Sequence, residues 1–85
     1  MKWELLIANP ARRAVRDMSR DDGKQILDAF EEMRTDPYAG DIKFLKGTDR
    51  ALRRRVGSWR IMYEVHAERR IVVIGDVVRR DSNTY

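Results

Sequence analysis

The chain has 85 residues, a net charge of +4 and no cysteine. This length predicts one small domain over residues 1–85, and the lack of cysteine excludes a disulfide framework and a cysteine-ligated metal site. No apolar run approaches the roughly 20 residues that a transmembrane helix needs, and the apolar segment near the N-terminus is too short for a signal peptide. We therefore expect a cytoplasmic protein with no membrane association.

A short strand and two helices are predicted in the N-terminal half. Residues 3–7 form an apolar run of strand type, and Asn9-Pro10 is typical of an N-cap followed by the first helical residue. Ser19 offers a second N-cap, and Thr35-Asp36-Pro37 ends the second helix. Apolar residues at helical spacing mark the two core-facing stripes. They are Ala11, Ala14, Val15 and Met18 in the first helix, and Ile26, Leu27, Phe30 and Met33 in the second.

Four further strands follow a loop at residues 37–41. They are predicted over residues 42–45, 52–56, 59–65 and 71–78, with a tight turn at Gly57-Ser58 and a candidate bulge at Gly75-Asp76. The last strand is apolar on both faces, a pattern that suits a central strand covered on both sides for part of its length. The order β-α-α-β-β-β-β predicts an α+β fold, in which two N-terminal helices pack on one face of a small, mostly antiparallel sheet.

Arginines alternate with core-type residues in the third and fourth strands. Because successive side chains of a strand point to opposite faces, Arg53 and Arg55 share one face, whereas Arg54 shares the other with Leu52 and Val56. In the next strand Arg60 points away from an apolar row. That row consists of Trp59, Ile61, Tyr63 and Val65. The pattern predicts a sheet with one buried face and one cationic face open to solvent.

Positive charge is concentrated in one segment of the chain. Residues 1–42 carry seven Lys/Arg and nine Asp/Glu, residues 43–60 carry seven and one, and residues 61–85 carry four of each. A solvated strand face could hold such charges, but seven like charges repel unless a partner neutralises them, which favours binding of a polyanion. The candidate phosphate-binding residues are Lys43, Lys46, Arg50, Arg53, Arg54, Arg55 and Arg60, with Arg79 and Arg80 reaching the same edge.

Few other residue patterns indicate catalysis. The sequence has no glycine-rich phosphate loop before a helix, and His66 at a strand end is typical of a surface residue. We expect no metal and no cofactor. Guanidinium groups offer forked donors that match phosphate oxygens. Tyr85 has both an aromatic ring and a hydroxyl, so it could stack on a base or donate a proton.

The sequence resembles the RelE/ParE toxin superfamily over nearly its whole length. The matching pattern begins at Leu45-Lys46-Gly47 and continues through the arginine-rich strand, Val56-Gly57, Trp59-Arg60 and Tyr63-Glu64-Val65. It closes with Arg79-Arg80 and Tyr85. The resemblance implies the toxin of a type II toxin–antitoxin system. It also implies a cognate antitoxin with an acidic, partly disordered segment that folds on binding.

The RelE-like branch, which the resemblance favours, implies a ribosome-dependent endoribonuclease that cuts mRNA. The catalytic residues implied by position are Arg53, Arg55, Arg60, Arg79 and Tyr85, with Arg80 as an alternative to Arg79. The best-known relatives have lysine where this chain has Arg53 and Arg55. Since arginine does not lose a proton near neutral pH, these two residues could stabilise charge but leave the general base unidentified.

The sequence pattern is also compatible with two other functions. A ParE-like protein would inhibit DNA gyrase and have no nuclease activity, and an inactive relative would only bind its antitoxin. Trp3, Leu5, Ile7 and the helix surfaces are candidate antitoxin contacts, with core packing as the alternative.

Overall fold

The computed structural model describes residues 2–80. Its main elements are β1 (Glu4–Ile7), α1 (Asn9–Asp17), α2 (Arg20–Thr35), β2 (Asp41–Phe44), β3 (Ala51–Val56), β4 (Trp59–His66) and β5 (Ile71–Arg79), with a short 3-10 helix (Ala67–Arg69) before β5. The strands form one sheet in the order β1-β5-β4-β3-β2. β1 runs parallel to β5, and the other three neighbouring pairs are antiparallel. Within residues 2–80, no helix has both the length and the apolar character needed to cross a membrane.

Both helices lie on one face of the sheet, as the sequence predicts. The core between the two layers contains Ala11, Ile26, Ala29, Phe30 and Met33 from the helices and Leu5, Leu52, Ile61, Tyr63, Val65, Val72, Ile74 and Val77 from the strands. We call this side of the sheet the covered face and the opposite side the open face. The predicted α+β arrangement is confirmed.

The first helix starts one residue earlier than the sequence predicts. Its N-cap is Ala8, which is extended and makes no side-chain capping bond, so the assignment of Asn9 as the N-cap is wrong. The N–H of Ala8 donates to the carbonyl of Ile74 at 2.9 Å. This continuation of the β1–β5 ladder keeps Ala8 extended, and the helix begins directly after it. The second helix follows the prediction: Ser19 Oγ accepts from the N–H of Asp22 at 3.2 Å, and the helix ends at Thr35.

Leu27 departs from the predicted core. It is 52% exposed, whereas Ile26, Phe30 and Met33 on the same helix are buried. Successive residues of a helix lie about 100° apart around its axis. With Ile26 directed at the sheet, Leu27 falls at the margin of the buried stripe.

The predicted bulge in β5 is confirmed, and it changes which side chains share a face. Met62 pairs with Asp76 and Tyr63 pairs with Ile74, so Gly75 is the extra residue. As a result Ile74 and Val77, three positions apart, both face the core, and Asp76 is directed to the open face beside Met62. β5 is central, between β1 and β4. Its predicted coverage on both sides is not found within residues 2–80, because both helices lie on the same side.

Candidate nucleic-acid interface

The register of the sheet brings four basic side chains together on the open face. One row across the strands runs Asp41–Arg55–Arg60–Val78, and the next runs Lys43–Arg53–Met62–Asp76. Directly opposed residues of a β-ladder point to the same face, with Cβ atoms about 5 Å apart. The predicted common face of Arg53, Arg55 and Arg60 is confirmed, and Lys43 joins them.

Arg80 adds a fifth cation to this face. Its N–H donates to the carbonyl of Ser58 at 2.7 Å, which extends the β4–β5 ladder by one residue. Alternation from Arg79 then directs its side chain to the open face, where Nη1 donates to the carbonyl of Gly57 at 3.2 Å. We call Lys43, Arg53, Arg55, Arg60 and Arg80 the basic cluster.

Arg79 lies on the covered face, so the structure does not bring it to the basic cluster. It pairs with Trp59 in the ladder, and its guanidinium carbon is 4.8 Å from the centre of the indole ring. Trp59 in turn donates from Nε1 to a carboxylate oxygen of Asp22 on α2 at 3.0 Å. Arg79 is therefore stacked against a side chain that α2 holds in place. Of the two C-terminal arginines, Arg80 is the one placed beside Arg60.

Arg54 also lies on the covered face, which corrects its assignment to the phosphate-binding set. It is 8% exposed, and its Nη2 donates to the carboxylate of Glu32 on α2. Gly40 passes directly over the guanidinium group: it has φ +86°, and a Cβ there would lie 2.6 Å from Arg54 Nε. A buried, ion-paired arginine under a glycine serves the packing of α2 and cannot meet a ligand on the open face.

The remaining predicted residues lie away from the basic cluster or outside the described residues. Lys46 and Arg50 are exposed in the loop between β2 and β3, at the end of β3 that is far from the Gly57-Ser58 turn. At about 3.3 Å per residue, Arg50 is roughly 10 Å from Arg53 and 17 Å from Arg55 along the chain. Tyr85 lies outside residues 2–80.

The turn between β3 and β4 lies close to α2. Gly57 has φ +56°, the left-handed conformation that a two-residue hairpin turn requires. A Cβ at this position would lie 2.8 Å from Gln25 Oε1 on α2. Any side chain at position 57 would therefore displace Gln25, and the Gly57 carbonyl is the acceptor for Arg80 Nη1.

Electrostatics favour an anionic ligand at the basic cluster. Asp41 makes a 3.6 Å ion pair with Arg55, and both side chains are at least 41% exposed, so solvent screens the attraction. Arg53 Nη1 and Arg80 Nε are shielded from solvent and have no hydrogen-bond partner among the described residues. An unsatisfied buried donor costs about 1–3 kcal/mol. A phosphate bound on this face would offset the repulsion between the neighbouring guanidinium groups.

Asp76 is a candidate functional residue that the sequence interpretation missed. It is the open-face carboxylate next to Met62, and one of its oxygens accepts from the N–H of Val77 at 2.8 Å. Arg60 and Asp76 are diagonal neighbours on adjacent strands, a relation that separates residues by about 7–8 Å. The signal was present in Gly75-Asp76, since a bulge at Gly75 reverses the alternation and turns Asp76 towards the arginines.

The sequence matches a known toxin family across almost all of its length. The model for the ParE toxin of type II toxin–antitoxin systems, parDE, matches residues 3–84. The RelE1 protein of Methanocaldococcus jannaschii, which is named as a toxin, is 31% identical over 84 residues, covering 95% of this chain and 93% of that protein.

Solved structures show the same fold. In the RelE–RelB complex of Pyrococcus horikoshii, one chain superposes with a TM-score of 0.85 at 20% identity, covering 96% of this chain and 99% of that one. A chain of the RelB–RelE complex of Methanococcus jannaschii gives a TM-score of 0.74 at 26% identity, covering 92% and 93%. The isolated RelE toxin of E. coli gives 0.79 at 17% identity, covering 93% and 85%.

The α+β fold of this chain is that of the RelE structures from Pyrococcus horikoshii and E. coli. The chain belongs to the RelE/ParE superfamily of type II toxin–antitoxin systems, and it acts as the toxin component. The name of the RelE1 relative agrees with the branch that the sequence favours.

Proposed function

We propose that this toxin is an endoribonuclease that cleaves mRNA on the ribosome and is neutralised by a cognate acidic antitoxin. The observation that carries the proposal is the basic cluster, in which Arg60 lies at the centre with Arg55 opposite it on β3 and Arg80 near it at the end of β5. Five cations on one solvent-facing surface suit a ligand with several phosphates. A ribosomal target implies that the toxin acts in the cytoplasm.

The cluster suits cleavage by the RNA itself. The ribose 2′-oxygen attacks the adjacent phosphorus, the bond from phosphorus to the 5′-oxygen breaks, and the products are a 2′,3′-cyclic phosphate and a 5′-hydroxyl. Negative charge builds on the phosphate oxygens during this step. Arg60 and Arg80 would bind these oxygens, and fixed donors at such positions typically accelerate a reaction by about 10²–10³-fold each.

Asp76 would supply the missing general base. Arginine cannot accept the proton of the 2′-hydroxyl at neutral pH, whereas an ionised carboxylate can. Asp76 and Arg60 are spaced to flank one phosphate and its ribose. The proton of the 2′-hydroxyl passes to Asp76, and water protonates the departing 5′-oxygen.

The other basic residues would bind RNA around the scissile phosphate. The cluster extends towards β2 through Lys43, Arg53 and Arg55. Phosphates further along the RNA would be contacted by Lys46 and Arg50. Tyr85 would stack on a base next to the cleavage point. The ribosome would impose the geometry of the mRNA, so we expect little cleavage of RNA without it.

Inhibition of DNA gyrase is the second candidate function. The matching family model is that of ParE toxins, and arginine stands at both positions where RelE relatives have lysine. In that case the basic cluster would contact a protein or DNA, and no RNA would be cut. The two functions differ in the process that stops first after induction: translation with mRNA cleavage, or replication with DNA damage.

Ribosome toeprinting with the purified protein tests the nuclease proposal. Wild-type protein should give new stops within the mRNA on the ribosome, and Arg60→Ala should lower the cleavage rate about 10²–10³-fold with unchanged thermal stability. Arg13→Ala is the matched control, because Arg13 is an exposed arginine on α1, far from the open face. A fully active Arg60→Ala would contradict the residue assignment. A wild-type protein that cuts no mRNA but blocks gyrase would overturn the nuclease function.

A further inference from the structure

A pocket on the open face adjoins the basic cluster. The row of the sheet next to the one that contains Met62 and Asp76 runs Ala51–Glu64–Val73–Leu6. A pocket of about 300 Å³ opens where these two rows meet, and its lining includes Met62, Val73 and the carboxylate residue Glu64. Both helices lie on the other side of the sheet. The pocket is therefore accessible to a ligand that is already bound at the basic cluster.

The floor of the pocket is apolar, although it faces solvent. Met62 and Val73 are half-buried there, and the bulge residue Gly75 adds no side chain. Proteins that recognise single-stranded RNA or an extruded base pack the flat face of the base on aromatic or apolar side chains. The thioether of Met62 is suited to contact with an aromatic ring. This floor matches the face of a nucleobase.

Glu64 supplies hydrogen-bond acceptors at the pocket. Its side chain is 53% exposed, and Oε1 lies 3.1 Å from Nε2 of His66. Because an ionised carboxylate has about four lone-pair sites, both oxygens can still accept from a ligand.

Among the four RNA bases, guanine matches this carboxylate best. Its Watson–Crick edge carries two adjacent donors, N1–H and the 2-amino group, which suit the two carboxylate oxygens. Adenine, cytosine and uracil each carry one donor group on that edge, next to an acceptor that a carboxylate repels. The chemistry of Glu64 therefore favours guanine.

The spacing along β4 follows the order of the parts of a nucleotide. Arg60, Met62 and Glu64 are successive open-face residues of this strand, and the first and last are about 13 Å apart at 3.3 Å per residue. Asp76 lies beside Met62, at the middle of this line. A phosphate at Arg60 thus places the ribose near Asp76 and directs the base towards Glu64.

We propose that the pocket binds the base of the nucleotide whose 2′-oxygen attacks, and that Glu64 selects guanine there. The base lies on Met62, and the carboxylate of Glu64 accepts hydrogen bonds from N1–H and the 2-amino group. Glu64 sets specificity and takes no part in proton transfer. The proposal rests on the proposed nuclease function and extends it from the scissile phosphate to the neighbouring base.

Cleavage rates on ribosomes that carry four matched mRNAs test the proposal. The mRNAs differ only in the base on the 5′ side of the cleaved bond, and the purified full-length toxin is used. The wild type should cut at least about tenfold faster after guanosine than after uridine. Glu64→Gln should lose about tenfold in rate after guanosine but stay within about threefold of wild type after uridine, because its amide group places a donor against a guanine donor.

Glu4→Gln is the matched control for Glu64→Gln. Glu4 is an exposed carboxylate residue on the same face of the sheet, but it lies on β1 and outside the pocket. This variant should keep the wild-type rates after all four bases. Thermal melts confirm that both variants are folded.

Inosine in place of guanosine separates base recognition from a structural role of Glu64. Inosine keeps N1–H and lacks the 2-amino group, so it should slow the wild type and leave the rate of Glu64→Gln nearly unchanged. A structural role would instead lower the rates after all four bases by the same factor in Glu64→Gln, and that result would overturn the proposal.

The remaining outcomes distinguish failure of the base pocket from failure of the nuclease function. Equal wild-type rates after all four bases, or a guanosine preference that persists in Glu64→Gln, would overturn the base pocket and leave the nuclease function standing. A wild-type protein that cuts no mRNA would overturn both. A toxin dimer that Val73→Glu dissociates would assign the pocket to a second copy and would also overturn the proposal.

Discussion

Adjacent arginines on β3 have opposite environments. Arg54 is 8% exposed, is paired with Glu32 and lies under Gly40. Arg53 and Arg55 point the other way, where they join Lys43 and Arg60 on a surface with few carboxylates. One strand therefore supplies a structural cation to the covered face and ligand-binding cations to the open face.

The end of β5 repeats this division. Arg79 stacks on Trp59 on the covered face, and Arg80 bonds to the Gly57 carbonyl on the open face. A cation on the covered face has a carboxylate or an aromatic ring supplied by the fold. On the open face several cations lie near one another, and their repulsion lowers stability in the absence of an anion. Stability and activity should therefore respond to mutations on different faces.

The largest effect is expected at Asp76. Asp76→Asn keeps an oxygen that can accept from the N–H of Val77 but cannot take a proton, so the cleavage rate on saturating ribosome complexes should fall about 10²–10⁴-fold. Ribosome affinity and melting temperature should stay unchanged. Asp41→Asn serves as the control, because Asp41 is an exposed open-face carboxylate already paired with Arg55. Equal rates in the two variants would remove Asp76 from the mechanism.

Paired substitutions on β3 test the division between the faces directly. Arg54→Ala should lower the free energy of unfolding by about 3 kcal/mol, because it removes a buried side chain and its ion pair. Arg53→Ala should leave the protein at least as stable as the wild type, because it removes an unsatisfied donor and a like charge, and it should reduce mRNA cleavage. Chemical denaturation and toeprinting on the same preparations measure both quantities. Equal free energies of unfolding for Arg54→Ala and Arg53→Ala would contradict the assignment of Arg54 to a structural role and of Arg53 to ligand binding.

A smaller effect, confined to alkaline pH, is expected at Tyr63 on the covered face. Burial raises the pKa of Tyr63 from 10.0 to about 12, and its hydroxyl donates to the carbonyl of Pro37 at 2.8 Å. The folded state holds this proton more tightly than the unfolded state. The contribution to stability is therefore complete below pH 10 and is lost as the pH rises towards 12, a change of at most about 3 kcal/mol.

Comparison with Tyr63→Phe isolates that contribution. The variant should be about 1–2 kcal/mol less stable at pH 7, because the Pro37 carbonyl loses its donor. Its unfolding free energy should fall less steeply than that of the wild type between pH 10 and pH 12. If urea denaturation gave the same fall in unfolding free energy between pH 10 and pH 12 for both proteins, the result would contradict the role of Tyr63. Cleavage activity should be unchanged at neutral pH, in keeping with the position of Tyr63 on the covered face.

Local patterns in the sequence predicted most of the fold. The cap at Ser19, the end of α2 at Thr35 and the Gly57-Ser58 turn each depend on residues close together in the chain. The first N-cap was misplaced because the extended state of Ala8 comes from a hydrogen bond to Ile74, a residue far away in sequence. Leu27 was placed in the core because periodicity identifies an apolar stripe but does not show how far a neighbouring helix covers it.

The candidate site was also predicted only in part, because local patterns along the chain do not show contacts between distant residues. Strand alternation alone placed Arg53, Arg55 and Arg60 on one face, and the sequence pattern identified the superfamily. Alternation also placed Arg54 on the opposite face from Arg53 and Arg55. Its ion pair with Glu32 could not be predicted, because Glu32 lies on α2, far away in sequence. The bulge at Gly75 shifts alternation by one residue, so Asp76 reaches the open face only once the β4–β5 register is known.

The order of the elements, the cationic strand pair and the family could be predicted from the sequence, because each depends on residue types and short spacings along the chain. Three features required the three-dimensional structure: which arginines pair within the fold and which face solvent, the position of Arg80 instead of Arg79 beside Arg60, and the exposure of Leu27. Each of these depends on contacts between residues distant in the chain. Register, bulges and helix packing set such contacts, and no local pattern specifies them.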